Sequence, residues 1–215
     1  MIDELGENGY TFTTFSNSIY VKVFSMGKKH FFSILAGLLC LGCGASFREG
    51  LPVPTLKGDP KNIEAAHASE GAMVYLEDIR DNRKQTAFAT YKDMVIQPVG
   101  DPVASIQTAL KRNLESIGLE VTDSAALVLT GELRKWQVGI NSGVPIDMQS
   151  EAVLYLEVYD PTNKRIYSGE YQGFAAIQKT SASNKDLNDA LETAMIEVLA
   201  QIKNDKQLVS LLSSF

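Results

Sequence analysis

The chain has 215 residues, of which 45% are hydrophobic, and its formal net charge is -6. This length and composition are those of an ordinary globular protein with one domain or slightly more. The net negative charge argues against nucleic acid as a partner, because nucleic acid binding needs a basic surface that neutralises phosphates.

Few side chains in the sequence could act as metal ligands or nucleophiles. Cys40 and Cys43 lie three positions apart in an apolar stretch, so they form neither a disulfide framework nor a four-cysteine zinc site. His30 and His67 both precede the part that is expected to fold, and no histidine or cysteine follows position 67. This inventory excludes a Ser-His-Asp triad, a Cys-His dyad and a histidine-ligated metal in that part, and we predict no cofactor.

Residues 1–25 do not have the composition of a secretory leader. Asp3, Glu4 and Glu7 make them acidic, with Lys22 as the single basic residue. Because a signal peptide starts at the true amino terminus, we expect translation to begin at Met26 and residues 1–25 to be a misassigned upstream extension. The alternative is a genuine acidic extension, and a native peptide from upstream of Met26 would establish it.

Residues 26–42 have the three parts of a signal peptide. Lys28 and Lys29 precede the apolar run Phe31 to Leu41, and small residues follow it. The run of 11 residues is shorter than the roughly 20 needed to span a bilayer. We therefore expect this segment to be removed.

The end of the apolar run resembles a bacterial lipobox, in which small residues precede a lipidated cysteine. Leu41-Gly42-Cys43 fits that pattern, whereas Cys40 stands where the pattern prefers Leu, Val or Ile. The resemblance implies that acyl chains on Cys43 hold the protein to a membrane. Gly44, rather than Asp, after the cysteine implies the outer membrane. The alternative is ordinary cleavage after Ala45, which would leave a soluble periplasmic protein.

Residues 43–70 are expected to comprise the lipidated cysteine and a flexible tether. Pro52, Pro54 and Pro60 interrupt the stretch, and no helix or strand period is visible there. Prolines make such a linker semi-extended, so the domain would stand off the membrane.

Residues 71–215 are expected to form a periplasmic domain with two main helices. Asp101 and Pro102 begin the first helix and Gly118 ends it. A sequence typical of a capping box opens the second at Ser183. A short helix is expected after Asp205.

Segments of alternating or β-branched residues predict the strands. They are Ala72 to Ile79, Met94 to Ile96, Leu119 to Val121, Ala125 to Val138, Ala152 to Val158 and Arg165 to Gln178. Short turns between the later strands indicate an antiparallel meander. The predicted fold class is α+β: a mostly antiparallel sheet of four to five strands with two helices packed on one face, in the order β-α-β-β-β-α.

The order of elements behind a lipoprotein leader resembles the YajG-like family of bacterial outer-membrane lipoproteins. The resemblance extends over about residues 70–213. The residues that carry it are Val74 to Arg80, Ile106 to Leu114 with Gly118, Leu127 to Leu133, Tyr171 to Gly173 and Ser183 to Asp205. It implies a small periplasmic domain without established catalytic activity, and therefore no active-site residues.

The densest charged cluster comprises Asp78, Arg80, Asp81 and Arg83. It could grip a protein or glycan partner. The alternative is a solvated turn whose charges pair with one another, since exposed ion pairs are common and weak.

Three acidic residues on the strands raise the question of glycoside hydrolysis, which uses paired carboxylates. They are Glu151, Glu157 and Glu170. Charged residues on alternating strands normally occupy the solvent face, so we do not expect catalysis.

Aromatic residues give a better binding hypothesis. Tyr155 and Tyr159 share strand parity and alternate with the apolar positions of their strand. Tyr167 and Tyr171 likewise share parity, and Trp136 lies on a neighbouring strand with Arg134. Together they could form an aromatic stripe on the helix-free side of the sheet that docks a protein or stacks on sugar rings. The alternative is that they close a second small core or cover the sheet together with the loop Asn141 to Gln149.

The sequence therefore favours a non-enzymatic outer-membrane lipoprotein whose periplasmic domain binds another envelope component. That partner would be an envelope protein or peptidoglycan, and the anchor would be Cys43. Two alternatives remain: an accessory subunit of an envelope transport, assembly or cell-wall synthase complex, and a carboxylate-based cell-wall hydrolase.

Overall fold

The computed structural model describes residues 9–10, 23–24, 44–57 and 71–214. They belong to two compact units, residues 1–44 and 45–215. In the first unit, β1 (Gly9–Tyr10) pairs antiparallel with β2 (Val23–Phe24). The expected signal peptide over 26–42, the expected lipidation site Cys43 and residues 58–70 lie outside the described residues.

The second unit contains eleven further strands and three helices in the residues described. In chain order they are β3 (Ala45–Ser46), β4 (Gly50–Pro52), β5 (Met73–Leu76), β6 (Arg80–Asp81), β7 (Ala89–Tyr91), β8 (Met94–Val99), α1 (Pro102–Ser116), β9 (Glu120–Thr122), β10 (Val128–Asn141), β11 (Ile146–Tyr159), β12 (Arg165–Lys179), β13 (Ala182–Ser183), α2 (Asn184–Asn204) and α3 (Lys206–Leu212).

A nine-stranded mixed sheet organises this unit. Strands β10, β11 and β12 form the antiparallel meander that the sequence predicts. The other edge of β10 pairs in parallel with three short strands in succession, first β5, then β6 and then β7. From there the sheet continues through β8 to β4, while β9 pairs with β5.

One face of the meander packs against α2. Along β11 the even-numbered residues are buried, and Leu154, Leu156 and Val158 among them are fully buried. This alternation is expected for a strand that turns one face to the core. Helix α2 contacts all three long strands, and it also packs on α1. The buried Asn113 amide of α1 donates to the Leu199 carbonyl of α2 at 2.6 Å, which ties the two helices together.

The fold class is α+β, as predicted, but the predicted sheet is too small and too simple. The sheet has nine strands with parallel as well as antiparallel pairs. The short helix expected after Asp205 is present as α3. The prediction missed the short strands because two or three residues carry no periodic signal. The missed strands form by pairing with strands that are far away in sequence: β6 and β7 with β10, β4 with β8, and β3 with β13.

The helix ends follow their sequence signals. The Asp101 carboxylate accepts from the backbone N–H groups of Val103 and Ala104, and Pro102 occupies the first turn. Gly118 has a φ of 96°, a conformation that glycine adopts at no steric cost after a helix. Ser183 and Asp186 form the predicted capping box.

The expected tether is wrong for residues 45–56, because these residues belong to the folded unit. β3 pairs with β13 and β4 pairs with β8. Leu51 is fully buried and Leu56 is 4% exposed. Burial of these two leucines stabilises the ordered segment, since each contributes roughly 1.5–3 kcal/mol. None of the helices in the described ranges is long and apolar enough to cross a membrane.

Candidate functional site

The candidate site lies on the face of the meander opposite α2. Residues there alternate with the buried ones, and a β-bulge in β10 modifies the alternation. The register between β10 and β11 shifts between Leu133 and Lys135, so that Arg134 is the additional residue. Arg134 and Lys135 are consequently neighbours on the helix-free face, while Leu133 and Trp136 both point into the core.

An ion-pair chain centred on Arg134 runs across this face. Its guanidinium donates to Glu170 at 2.6 Å and to Glu132 at 3.4 Å. Arg80 donates to the other oxygen of Glu132 at 2.9 Å. Partial burial opposes ionisation of Arg134, but the two carboxylates outweigh it and raise the pKa of the guanidinium. Arg134 thus remains charged and fixed in orientation.

The same guanidinium stacks on an aromatic ring. The central carbon of Arg134 lies 3.8 Å from the Tyr155 ring centroid, which is a close cation–π contact. One face of the Tyr155 ring is therefore covered by protein. A sugar ring could not stack on that side of Tyr155 without displacing Arg134.

A second cluster surrounds Glu157. Tyr155 and Tyr159 each donate to its carboxylate at 3.0 Å, and Arg165 donates at 2.7 Å. Burial alone would raise the pKa of Glu157, but the hydrogen bonds from Arg165, Tyr159 and Tyr155 together lower it. The two tyrosines lie on the helix-free face, with their hydroxyls engaged on Glu157.

A third contact holds the middle of the face. Lys135 donates to Glu151 at 2.6 Å, and the Gln172 side chain donates to the other oxygen of Glu151 at 2.9 Å. The hydrogen bond from Lys135, assisted by that from Gln172, lowers the pKa of Glu151. Strands β10, β11 and β12 are thus linked by side chains as well as by their backbones.

Between this face and the segment that joins β6 to β7 lies a groove of about 620 Å³. We call it the bulge groove, because Arg134 and Lys135 of the bulge line its floor. Its lining residues are Asn82, Lys84, Gln85, Arg134, Lys135, Gln137, Val153 and Glu170. Three of the four charged residues are basic, in contrast to the net charge of -6 for the whole chain. Carboxylates of the protein offset the charges of Arg134 and Lys135 through the ion pairs to Glu132, Glu170 and Glu151.

The sequence-predicted charged cluster divides in the structure. Asp78 is exposed, and Arg80 joins the ion-pair chain through Glu132. Arg83 is not available to a partner: its side chain is 2% exposed, and it donates to both oxygens of Asp81 and to the Thr86 carbonyl. Asp81 and Arg83 therefore pair with each other, as in the alternative interpretation of this cluster.

The expected position of Trp136 on an exposed aromatic stripe is wrong. Trp136 is fully buried, its indole N–H donates to the Leu191 carbonyl of α2 at 3.0 Å, and its ring packs edge-on against Phe88. The bulge at Arg134 explains the error, because strict alternation would place Arg134 and Trp136 on the same face.

Tyr167 and Tyr171 lie on the helix-covered face. Their hydroxyls converge on one oxygen of Asp205 at 2.5 and 2.8 Å. The other oxygen of Asp205 caps α3 through the N–H groups of Gln207 and Leu208. The sequence predicts that Asp205 begins the helix and that the two tyrosines share a face, but it does not predict their meeting with Asp205.

Glu151 and Glu157 lack the property required of the acid in a hydrolytic pair. A glycosidase general acid needs a raised pKa, whereas the pKa values of Glu151 and Glu157 are lowered by their partners. Within the described ranges, no group of three or more His, Cys, Asp or Glu residues is arranged to hold a metal ion.

Comparison with known families identifies the class of this protein. A family described as uncharacterized lipoprotein matches residues 60–213, so the chain belongs to that family. The match confirms the lipoprotein expectation at the level of the class. Among curated proteins the sequence has no match.

Comparison with solved structures finds similar chains at low sequence identity. A protein from Xanthomonas campestris shares the fold with a TM-score of 0.51 at 10% identity, covering 75% of this chain and 91% of that one. A lipoprotein from Neisseria meningitidis has a TM-score of 0.37 at 9% identity, covering 60% and 99%. A minor lipoprotein from Acinetobacter baumannii has a TM-score of 0.40 at 11% identity, covering 61% and 89%.

Proposed function

We propose that this protein is a non-enzymatic lipoprotein, anchored to the outer membrane through Cys43, whose periplasmic domain binds another envelope component. Membership of a lipoprotein family supports the anchor. So does the placement of Cys43 directly after an apolar run and Gly42. The resemblance to YajG-like lipoproteins supports the outer membrane as the location.

The observation that carries the binding function is the bulge groove. A β-bulge places Arg134 and Lys135 side by side, and the ion pairs to Glu132, Glu170 and Glu151 fix both side chains before any ligand arrives. Fixed side chains lose little conformational entropy on binding. Because carboxylates offset the charges of Arg134 and Lys135, the inference of an anionic partner rests on Lys84, an exposed cation on the rim of the groove. It favours a partner that presents a carboxylate or another anionic group. Both an acidic protein surface and peptidoglycan, which bears carboxylates, meet that description.

The absence of catalysis is part of the proposal. The structure supports it through Glu151 and Glu157, whose carboxylate oxygens are engaged by neighbouring side chains. Neither group is placed to deliver a proton at neutral pH, because their pKa values are lowered.

Labelled palmitate tests the anchor. Cells expressing the full chain should incorporate label into this protein, and Cys43→Ala should abolish it. Cys40→Ala is the matched control and should keep the label. Label that persists in Cys43→Ala would refute the anchor.

Site-directed crosslinking tests the binding face. A photo-reactive residue at exposed Lys84, on the rim of the bulge groove, should capture a defined envelope component in intact cells. The same residue at exposed Lys111 on α1 is the control and should not capture it. Equal capture at the two positions, or none at Lys84, would contradict the proposal. A captured transport, assembly or synthase protein would identify the chain as an accessory subunit of that complex.

A further inference from the structure

The structure places the start of the folded unit at one end of the long strands. β3 begins at Ala45 and pairs in parallel with β13, so that Ala45 lies opposite Ala182 and Ser46 opposite Ser183. The Asn184 side chain accepts from the Arg48 N–H at 2.9 Å and donates to the Gly50 carbonyl at 3.3 Å. The segment after Ala45 is therefore fastened to the beginning of α2.

That end of the sheet also carries the loop between β10 and β11. Ile146, the first residue of β11, pairs with Lys179, the last residue of β12, and β13 begins at Ala182. Residues 141–145 are all exposed and uncharged, and Val144 is 79% exposed. We call this segment the anchor-end loop. Its distance from Ala45 is bounded by two strand spacings and the short chain segments 179–182 and 144–146. Together these give an upper limit of about 27 Å.

The opposite end of the meander differs in chemistry. The turn between β11 and β12 contains Asp160 and Lys164. It is separated from the anchor-end loop by the length of β11, about 40 Å for a strand of 14 residues. The anchor-end loop is therefore the end of these strands that is near Ala45, and the turn with Asp160 and Lys164 is the end that is far from it.

We infer that the anchor-end loop lies against the lipid surface, with the long strands rising from the membrane and the bulge groove held above it. This inference rests on the proposed lipid anchor at Cys43. Only Gly44 separates that cysteine from Ala45, so the chain between the acylated residue and the folded unit spans at most about 7 Å. A domain that starts so close to its anchor cannot stand off on a tether. An exposed, uncharged loop with an apolar tip suits contact with a lipid headgroup layer.

The anchored full-length protein can be tested directly in vesicles. Ser142→Cys places a thiol in the anchor-end loop, and Thr162→Cys places one in the far turn as the matched control. With Cys43 acylated, each introduced cysteine is the only free thiol of the processed chain and can carry an environment-sensitive fluorophore. The vesicles contain neutral phosphatidylcholine with a fraction of lipids that bear a quencher near the headgroup.

Fluorescence at position 142 should be largely lost, whereas fluorescence at position 162 should be retained. Because residues 141–145 carry no charge, the quenching should persist at high salt. Val144→Asp, made in the Ser142→Cys background, should restore part of the fluorescence by keeping the loop out of the headgroup layer.

Retained fluorescence at both positions, or quenching at position 162 instead, would overturn the inference while leaving the anchor intact. Failure of palmitate to label Cys43 would instead refute the proposed function. The two failures are therefore distinguishable.

Discussion

Gln201 of α2 satisfies both backbone groups of Gln172 on the outer edge of the sheet. Its side-chain amide donates to the Gln172 carbonyl at 2.7 Å and accepts from the Gln172 N–H at 3.4 Å. Glu197, one turn earlier, accepts from the Phe174 N–H at 2.6 Å. Strand β12 is the edge of the meander, and open edges recruit other strands. The helix therefore protects part of the edge with its own side chains.

Replacing both protecting residues, in Gln201→Ala with Glu197→Ala, removes three hydrogen bonds. It should lower the unfolding free energy by about 1.5–4.5 kcal/mol, since each net hydrogen bond contributes about 0.5–1.5 kcal/mol. It should also increase concentration-dependent association. Urea unfolding and light scattering on a sizing column measure the two effects. Lys185→Ala, which removes an exposed residue of the same helix, is the control and should change neither. A double variant that associates no more than the unmodified protein at any concentration would show that the protection is unnecessary.

Gly173 lies where strand β12 and helix α2 approach each other so closely that there is no room for a side chain. A Cβ atom added to Gly173 would collide with the Ala194 carbonyl of α2, whereas one added to Gly139 would meet the Gln149 carbonyl at an ordinary 3.8 Å. Gly173→Ala should therefore destabilise the protein by about 1–3 kcal/mol through overpacking, and Gly139→Ala by much less. Urea unfolding of the two variants compares them directly. Equal effects would mean that α2 can move away from β12 without cost.

Protonation of Asp205 should lower the unfolding free energy as the pH becomes acidic. Burial would raise its pKa, but hydrogen bonds from Tyr167, Leu208, Tyr171 and Gln207 together lower it from 3.8. A carboxylate with a lowered folded-state pKa stabilises the protein above its unfolded pKa, and this contribution is lost as the pH falls through the folded pKa. The decline attributable to Asp205 should therefore begin near pH 4 to 5 on acidification.

Asp205→Ala should cost about 2–4 kcal/mol near neutral pH, because it removes a helix cap and leaves tyrosine hydroxyls without their acceptor. It should also flatten the acid limb of the stability curve. Asp205→Ser keeps a capping oxygen and should recover part of the loss. Chemical unfolding between pH 3 and 7 tests both variants. An unchanged acid limb in Asp205→Ala would contradict the assignment.

Ionisation of Tyr167 and Tyr171, in the same cluster, should lower the unfolding free energy at alkaline pH. Burial, assisted by Asp205, raises the pKa of Tyr167 to about 12, and burial also raises that of Tyr171. Their contribution to stability is complete below the unfolded pKa of 10.0 and is lost as the pH rises toward the folded value. Absorbance of the phenolate should show a late-titrating fraction that shrinks in Tyr167→Phe. Ionisation of every tyrosine near pH 10 in the folded protein would contradict this.

Much of the fold could be predicted from sequence because local signals specify it. Asp101 with Pro102 begins α1, the capping box at Ser183 begins α2, and alternating residues such as Leu154 and Leu156 define the meander. The sequence does not reveal that the segment with Leu51 and Leu56 is folded. Its strands have only two or three residues, and its prolines are typical of a linker. Those strands form only by pairing with β8 and β13, far away in sequence.

The candidate site was only partly predictable, for a single physical reason. Strand parity correctly places Tyr155 and Tyr159 on the helix-free face, since β11 is regular there. Parity fails on β10, where the bulge at Arg134 turns Trp136 into the core and brings Lys135 beside Arg134. The insertion of one residue in a ladder leaves no mark in the sequence. The bulge groove is thus a product of this irregularity.

Replacement of Arg134 should weaken partner binding while it leaves the stability of the fold nearly unchanged. Its ion pairs with Glu132 and Glu170 are partly exposed, and pairs of this kind contribute up to about 1 kcal/mol. Arg134→Gln should therefore lower the unfolding free energy only slightly, yet greatly reduce capture of the partner by a crosslinker at Lys84. Arg165→Gln, which removes an exposed cation of the same face outside the groove, is the matched control. If the two variants reduce capture equally, the net charge of the face rather than the groove governs binding. If Arg134→Gln captures as well as the unmodified protein, the bulge groove is not the binding site.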